Sequence, residues 1–196
     1  MKTKYIATAI IAIALVASCK NDTKTTEKEV VKEVEKEVKK VEEEVVVKRV
    51  KMALESKSDS KATGSVLFEE SNGTVKMTAA IHGLSEGTHA IHIHAKADCS
   101  SADGKSTGGH WNPTAQPHGA WGAEEGYHKG DIGNFEADEK GNGQKEFSTD
   151  EWCIGCGDEK KDILGKAIIV HQGVDDFTSQ PSGAAGKRIS CGGIIM

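Results

Sequence analysis

The sequence predicts an all-β domain over residues 46–196. Apolar residues alternate with polar ones from Val75 to His82, which is the pattern of a strand with one buried face. Asn72-Gly73 stands just before this run, and Asn-Gly is a strong signal for a two-residue hairpin turn. The chain has 22 glycines and only 5% aromatic residues, a composition that suits short strands and many turns. We therefore expect this run to pair with the preceding Gly64–Phe68.

Two further strands are predicted where apolar runs end in histidine. The first is Ala90–His94, and the second covers Ala167–Val170 and ends at His171. A long segment rich in glycine and polar residues follows each of them, at 95–130 and at 172–187. Long segments without a strand pattern are typically functional loops, so we expect the functional site beside them.

The N-terminus has the features of a secretory signal peptide over residues 1–18. Lys2 and Lys4 precede an apolar run that is too short for a comfortable membrane span and ends in small residues. Cys19 follows directly, as in the lipobox of bacterial lipoproteins, whose cysteine is lipidated and becomes the first mature residue. We expect Cys19 to anchor the protein to the periplasmic or cell-surface face of a bacterial membrane. The alternative is an ordinary signal peptide with a chance cysteine, because other acceptable cleavage sites lie nearby.

Residues 19–45 are predicted to form a tether between the anchor and the domain. From Glu27 onward the composition is almost entirely Glu, Lys and Val. The valines recur every three or four residues and would share one face of a helix, with Glu–Lys pairs beside them. Valine is a mediocre helix former, so an isolated helix would be marginal. A solvated, partly helical tether is favoured over a coiled coil, which needs a longer apolar repeat.

Charge and cysteine content limit the classes of function. The net charge of −5 argues against a nucleic-acid partner, because phosphate binding needs a basic surface. With Cys19 assigned to lipid, four cysteines remain, and an exported compartment permits disulfides. The sequence leaves open whether the protein is a monomer or a homodimer.

The histidines give the strongest functional signal. Most of the eight lie in one glycine-rich window, and imidazole is a preferred ligand of zinc and copper. In a strand, His92 and His94 would point to the same side, so both rings could converge on one ion. His171 could add a third ligand from a neighbouring strand. The complete set of candidate ligands is His92, His94, His110, His118, His128, Asp131 and His171.

The number of ligands allows two arrangements. Seven side chains could complete one four-coordinate site and leave three for an open, reactive site. They could also complete two sites if one imidazole used both of its nitrogens. The residue types do not choose between these arrangements.

The motifs that carry these residues resemble those of the copper/zinc superoxide dismutase family. They occur in the family's order and cover essentially all of the chain after the tether: His92-Ile93-His94, Gly109-His110-Trp111-Asn112-Pro113, His128-Lys129-Gly130-Asp131, Val170-His171 and Arg188-Ile189-Ser190-Cys191-Gly192. The resemblance implies a flattened Greek-key β-barrel, a sandwich architecture of which this family is itself a known example. It also implies a long metal-binding loop and a long electrostatic loop.

Position by position, the resemblance implies copper and zinc sites that share one imidazole. The implied copper ligands are His92, His94, His110 and His171. The implied zinc ligands are His110, His118, His128 and Asp131. Asp175 would link a copper histidine to a zinc histidine, and Cys99 and Cys191 would form the intrasubunit disulfide.

The resemblance also implies the reaction. Superoxide would be converted to dioxygen and hydrogen peroxide by alternating reduction and reoxidation of copper, which would protect the cell envelope. His110 would leave the copper, take up a proton and help to deliver it, while Arg188 would attract and orient the anion. A rival function is a metal carrier that borrows the fold. Loss of a copper ligand or of Arg188 would favour the carrier, and all of these residues are present.

Two segments depart from the family's pattern. Cys153-Ile154-Gly155-Cys156 is expected to form a local structural disulfide; the alternative is an extra copper-loading or redox site. The disulfide is favoured because redox CxxC motifs usually open a helix in a βαβ unit, and none is apparent. Residues 176–187 are rich in Gly and Ser and low in charge, so we expect weaker steering of the anion than in the family's charged loop.

Overall fold

Eight β-strands and one short 3-10 helix make up the computed structural model, which describes residues 47–196. The strands are β1 (Lys48–Ser56), β2 (Thr63–Ser71), β3 (Thr74–His82), β4 (Gly87–His94), β5 (Gly133–Ala137), β6 (Gly143–Thr149), β7 (Ala167–His171) and β8 (Arg188–Gly193), and the 3-10 helix is Lys105–Thr107. Within this range no helix is long and apolar enough to cross a membrane. The predicted signal peptide, Cys19 and the tether lie outside the described residues and stay predictions.

The strands form a closed antiparallel barrel in the order β1-β2-β3-β6-β5-β4-β7-β8. The first three strands pair in sequence order, whereas β3 pairs with β6 and β4 pairs with β7, which makes Greek-key connections. Two residue pairs between β1 and β8, Glu55 with Cys191 and Ser56 with Ser190, close the barrel. Closure pairs both edges of the sheet and so removes exposed strand edges. The expected all-β Greek-key barrel is confirmed.

The β2–β3 hairpin follows from its turn residues. Asn72 and Gly73 have φ angles of 52° and 75°, and Ser71 pairs with Thr74 across the turn. Positive φ at both central residues gives a turn whose twist matches that of the two strands. The predicted alternation in β3 is confirmed, because the residues on its inner face are all buried: Val75, Met77, Ala79 and Ile81.

Strand β4 separates the hydrophobic core from the face that carries histidines. Ile91 and Ile93 belong to the core, and His92 and His94 point to the opposite face because side chains alternate along a strand. β7 runs antiparallel beside β4, and its register places His171 diagonally next to His92 on that same face. Three histidines are therefore held on paired strands outside the core.

Two long loops flank this outer face, as predicted. Residues 95–132 connect β4 to β5, and residues 172–187 connect β7 to β8. The Cys99–Cys191 disulfide joins the first loop to β8, with 5.9 Å between the two Cα atoms. A main-chain bridge between His94 and His110 joins the same loop to the end of β4. These ties bring loop residues against the histidines of the strands.

Two tryptophans pack inside or against the core. Trp152 is buried in the core, and its ring N–H donates to the Lys129 carbonyl at 2.9 Å. Trp121 lies between Phe147 and Tyr127, with ring centroids 4.8 and 4.9 Å away. Both tryptophans therefore serve the packing of the barrel.

Candidate metal centre

Three imidazoles converge on the buried carboxylate of Asp131. His110 Nδ1 lies 2.8 Å from Asp131 Oδ1, His118 Nδ1 lies 3.0 Å from Oδ2, and His128 Nδ1 lies 3.2 Å from Oδ1. Asp131 Oδ2 also accepts the backbone N–H groups of His128 and Gly119, at 2.8 and 3.2 Å. One ligand atom from each of the four side chains lies within 4.8 Å of the others. We call this set the Asp131 group.

A second set of imidazoles shares the His110 ring. His92, His110 and His171 bring ring nitrogens within 4.8 Å of one another. The His94 ring completes the set, with its centroid 5.0 Å from that of His110 and 5.6 Å from that of His171. Because His110 Nδ1 contacts Asp131, its Nε2 is left for this second set. We call these four residues the all-histidine group.

Each of the six histidines has one buried ring nitrogen that makes no well-aligned hydrogen bond among residues 47–196, although Nδ1 of His118 and of His128 lie close to Asp131 oxygens. These atoms are His92 Nδ1, His94 Nε2, His110 Nε2, His118 Nδ1, His128 Nδ1 and His171 Nε2. A buried polar atom without a partner costs about 1–3 kcal/mol, so such atoms are rare. Six of them within one cluster are explained if their lone pairs bind metal ions.

The opposite ring nitrogens are held by oxygen acceptors. His94 Nδ1 donates to the Gly108 carbonyl at 2.9 Å. His92 Nε2 and His118 Nε2 donate to the two carboxylate oxygens of Asp175, at 2.9 and 2.8 Å. An acceptor at one ring nitrogen keeps the proton there and leaves the other nitrogen as a lone pair. Asp175 thereby orients one histidine of each group.

Burial keeps His94, His110 and His171 of the all-histidine group in the neutral form that binds metals. It lowers the pKa of His94 and of His171 well below the ordinary value, and neighbouring histidines add to this effect. Burial also lowers the pKa of His110 to about 4, although the contact with Asp131 works against it. These rings are therefore unprotonated near pH 7, as metal binding requires.

His118 behaves in the opposite way because it lies between two carboxylates. Burial disfavours the charged form of His118, but the close contact with Asp131 and the hydrogen bond with Asp175 outweigh burial and raise the pKa of His118 to about 9. Burial likewise opposes ionisation of both carboxyls, yet their histidine contacts hold the pKa of Asp131 and of Asp175 below the usual range. The pair of carboxylates thus stays anionic around a protonated imidazole.

An open cleft of about 440 Å³ leads from solvent to the all-histidine group. Arg188 lies at its side, and the guanidinium Nη1 donates to the Gly104 carbonyl at 3.0 Å and to Thr107 Oγ1 at 3.1 Å. Burial lowers the pKa of Arg188, but a guanidinium stays cationic at neutral pH. The charged and imidazole side chains that line the cleft are Lys105, Arg188, His94, His110, His128 and His171.

Comparison with known proteins identifies the family. The family model described as copper/zinc superoxide dismutase (SODC) matches residues 62–194.

The chain belongs to the copper/zinc superoxide dismutase family.

Its relatives include two proteins of Aquifex aeolicus (strain VF5). It is 35% identical over 139 residues to Superoxide dismutase (Cu-Zn) 2, and the aligned residues cover 69% of this chain and 80% of that protein. It is 41% identical over 107 residues to Superoxide dismutase (Cu-Zn) 1, and the aligned residues cover 53% of this chain and 62% of that protein. Among solved structures, a double mutant of a SOD-like protein from Bacillus subtilis, in which a tyrosine and a proline are replaced by histidine, matches with a TM-score of 0.67. That match has 30% identity and covers 74% of this chain and 97% of the other.

Copper and zinc are the cofactors of this superoxide dismutase family, and the two groups have suitable ligands for both. Three imidazoles with one carboxylate form a four-ligand set of the kind that zinc accepts. Four imidazoles with no carboxylate suit copper. The six unpartnered ring nitrogens supply six of the eight ligand positions. His110 Nδ1 and an Asp131 oxygen, 2.8 Å apart, supply the other two, so the residues present fit both ions.

Two histidines of this superoxide dismutase, His82 and His89, lie outside the histidine cluster and are not among the candidate ligands. His82 is exposed on β3, and its Nδ1 lies 2.9 Å from Asn142 Oδ1. His89 is buried, but its Nδ1 donates to the His171 carbonyl at 2.9 Å and its Nε2 contacts Ser85. Both ring nitrogens of His89 are occupied by protein atoms, which leaves none for a metal.

Both disulfides considered in the sequence analysis are present. Cys99–Cys191 ties the metal-binding loop to β8, and Cys153–Cys156 closes a short segment of the loop between β6 and β7. The expected local disulfide of the CxxC motif is therefore present.

Two side chains that the sequence analysis did not single out hold the backbones of His118 and Asp175. Gln180 Oε1 accepts the His118 N–H and its Nε2 donates to the His118 carbonyl, both at 2.8 Å. Asn134 makes the same pair of contacts with the backbone of Asp175, both at 2.9 Å. The partners are 62 and 41 residues apart, so no local pattern marks these contacts.

Lys105 is a third residue that sequence reasoning missed. It lines the cleft together with Arg188 and forms an ion pair with Asp103 at 3.0 Å. The one cation of residues 176–187, Lys187, does not line this cleft, so Lys105 supplies from the other loop a cation that the electrostatic loop does not place there. The signal available in the sequence was the position of Lys105 between Cys99 and His110, in the loop that the disulfide closes.

We expect the zinc affinity of the metal-free protein to rise about tenfold per pH unit from pH 6.5 to about pH 9. His118 must lose its proton before Nδ1 can bind an ion, and its pKa is raised to about 9, so protons compete with zinc below that pH. Competition titrations with a zinc chelator at several pH values measure this slope. In an Asp175→Asn variant the rise of zinc affinity with pH should level off at a lower pH. A zinc affinity that does not change between pH 6.5 and 9 would contradict the prediction.

Proposed function

We propose that this copper/zinc superoxide dismutase converts superoxide to dioxygen and hydrogen peroxide at the envelope of a bacterial cell, and protects that envelope from superoxide. The observation that carries the proposal is the shared ring of His110, with Nδ1 at 2.8 Å from Asp131 and Nε2 buried without a partner. This ring connects a group suited to a redox-inert ion with a group suited to a redox-active one.

The proposed ligands follow from the two groups. The all-histidine group would hold copper through His92 Nδ1, His94 Nε2, His110 Nε2 and His171 Nε2. The Asp131 group would hold zinc through the Nδ1 atoms of His110, His118 and His128 and through a carboxylate oxygen of Asp131. The hydrogen bonds from His92 and His118 to Asp175 support this assignment, because they direct both lone pairs away from Asp175.

Copper, when bound, supplies the one-electron couple that accepts an electron from one superoxide and returns it to a second. Two superoxide anions and two protons then give one dioxygen and one hydrogen peroxide. His110 lines the cleft and is the one proposed ligand that belongs to both groups. Its Nε2 can therefore hold a proton at the cleft while its Nδ1 stays fixed near Asp131. We assign His110 Nε2 as the proton carrier of the reaction.

Arg188 would bind and orient the substrate anion. Its guanidinium is held by the Gly104 carbonyl and by Thr107, so the donors stay directed without a bound anion. Lys105 adds a second cation beside the same cleft. A local positive field can attract an anion to a protein of net charge −5, an effect for which superoxide dismutase is itself a known example.

Replacing Arg188 by glutamate should lower kcat/KM roughly tenfold or more, within the range known for electrostatic steering, of which this family is an example. It should also reverse the salt dependence, because salt would then screen a repulsion instead of an attraction. Pulse-radiolysis rates at several ionic strengths measure both effects. Arg49→Glu is the matched control, since Arg49 is exposed on β1 and pairs with Glu69. An equal loss in the two variants would show that only net charge matters.

The proposed location rests on the leader and on the disulfides. The N-terminal segment resembles a lipoprotein signal, and Cys19 would carry the lipid. Two disulfides within residues 47–196 support an oxidising compartment, where such bonds persist. Cell fractionation with labelled fatty acid tests the location: the chain should be membrane-bound and labelled, and Cys19→Ser should release it unlabelled. Recovery of the wild-type chain in the cytoplasm would refute the proposed location.

A superoxide-decay assay on the full-length chain tests the proposed activity. The chain loaded with copper and zinc should accelerate the decay, and the chain loaded with zinc alone should not, because zinc has no redox chemistry. A copper-loaded chain that binds one copper and leaves the decay unchanged would support the metal-carrier function instead.

A further inference from the structure

The loop between β6 and β7 carries another set of metal-binding side chains, and it shares no residue with the histidine cluster. Cys153, Cys156 and Asp162 each bring a ligand atom within 4.8 Å of the other two. We propose that these three residues form a separate site for a divalent cation that prefers sulfur, of the zinc type, when the disulfide between the two cysteines is reduced. This site is independent of the proposed dismutase activity.

The loop keeps its shape through contacts other than the disulfide. The Cys153 N–H donates to the Lys161 carbonyl at 2.9 Å. The backbone of the next residue, Ile154, is held at both of its polar groups. Lys48 donates to the Ile154 carbonyl and Glu70 accepts the Ile154 N–H, both at 2.8 Å. The disulfide spans only three residues of sequence and so restricts the unfolded chain little. Reduction therefore frees two thiols within a loop that stays in place.

Asp162 is held beside the cysteines by backbone N–H groups. Its Oδ1 accepts from Gly155 at 2.9 Å and from Leu164 at 3.0 Å, and its Oδ2 accepts from Gly157 at 2.9 Å. A carboxylate offers about four lone-pair positions, so Oδ2 retains one that can bind a cation. These contacts also serve as the outer hydrogen bonds that orient a metal-binding carboxylate.

The chemistry of the three ligands selects the class of ion. Two thiolates and one carboxylate leave a fourth position for water, which is an open tetrahedral zinc site. The carboxylate argues against a site built for Cu(I), which prefers sulfur ligands alone. Cys156 is exposed, and Asp162 lines an open cleft of about 560 Å³ beside Trp111. A cation can therefore reach the site directly from solvent.

A dithiol can open the site. The Cys153–Cys156 bond breaks as two electrons and two protons pass to the sulfur atoms, and the dithiol becomes a disulfide. When a cation then binds the two sulfurs as thiolates, their two protons are released to water.

Cobalt(II) is the probe for this site. The full-length chain is first filled with zinc at the histidine cluster, then reduced with a dithiol, desalted without oxygen and titrated with Co²⁺. Thiolate ligands give Co²⁺ a strong near-ultraviolet charge-transfer band, which imidazole and carboxylate ligands do not give. We expect one equivalent of Co²⁺ with this band in the reduced protein and no band in the oxidised protein. Absence of the band after reduction would overturn the proposal.

Three variants assign the band to its ligands. Cys156→Ser should remove the band, and Asp162→Asn should weaken Co²⁺ binding about tenfold or more, while both keep the zinc content of the cluster. Asp158→Asn is the matched control, because Asp158 is an exposed carboxylate of the same loop and should not change binding. An undiminished band in reduced Cys156→Ser would assign the band to Cys99 and Cys191. An unchanged Co²⁺ affinity in Asp162→Asn would show that the Asp162 carboxylate is not a ligand. Either result would overturn the three-ligand site.

Discussion

Replacing His171 by alanine is expected to abolish superoxide dismutation and to leave the barrel folded. The side chain supplies one of the four proposed copper ligands through Nε2, and its only hydrogen bond within residues 47–196 is a long one of 3.5 Å to the Gly186 carbonyl. The His171 carbonyl, which accepts from His89, belongs to the backbone and is retained. Loss of a partner that only orients a ligand costs 10- to 100-fold, so loss of a ligand should cost more than about 100-fold in activity.

Superoxide decay, copper content and far-ultraviolet circular dichroism together measure this effect. His82→Ala is the matched control, because His82 is exposed, pairs with Asn142 and lies outside both metal groups. It should keep full activity and full metal content. If the His171→Ala protein were as active as the wild type, His171 would not be a copper ligand.

Replacing both Cys99 and Cys191 by alanine is expected to have the largest effect on stability. The disulfide joins residues 92 positions apart, and a loop of that size restricts the unfolded chain by about 4–5 kcal/mol in the chain-entropy model. For a domain of this size, that loss corresponds to a fall in Tm of roughly 10–18 °C. Thermal or urea unfolding of the metal-free protein measures it, since bound metals would add their own stabilisation.

The same variant should also lose activity through the loop that holds Arg188. Gly104 and Thr107 both lie in the segment that Cys99 ties to β8, and they fix the guanidinium at the cleft. The matched control is the double variant Cys153→Ala and Cys156→Ala, whose disulfide spans three residues and should cost less than about 2 kcal/mol. Equal losses of stability in the two double variants would contradict the argument from loop length.

Local patterns were sufficient for strands β2, β3, β4 and β7 and for the histidines that β4 and β7 carry. The period of two along β4 predicts that His92 and His94 share a face while Ile91 and Ile93 enter the core, and the structure places them so. The hairpin at Asn72-Gly73 was predictable for a similar reason, because those two residues tolerate the backbone angles that the turn requires. These features depend on residues close together in the sequence.

Residue types alone left the arrangement of the ligands open. Seven candidate ligands could form two complete sites through a shared ring or one complete and one open site, and composition does not distinguish the two. In the structure Asp131 contacts Nδ1 of His110 and the opposite nitrogen is left for the all-histidine group, which is the reason why we propose the shared ring. The separation of these two residues, 21 positions, is bridged by folding of the metal-binding loop.

The sequence by itself determined four of the eight strands, the identity of the candidate ligands and the sign of the local charges, since these depend on short-range stereochemistry and on side-chain type. Only the tertiary structure decided which nitrogen of each histidine is free, because the acceptor on the other nitrogen comes from a distant segment. Asp175 orients His92 across 83 residues, and Gln180 holds the backbone of His118 across 62. Such contacts form only when the two long loops close over the barrel, and no periodicity in the chain records them.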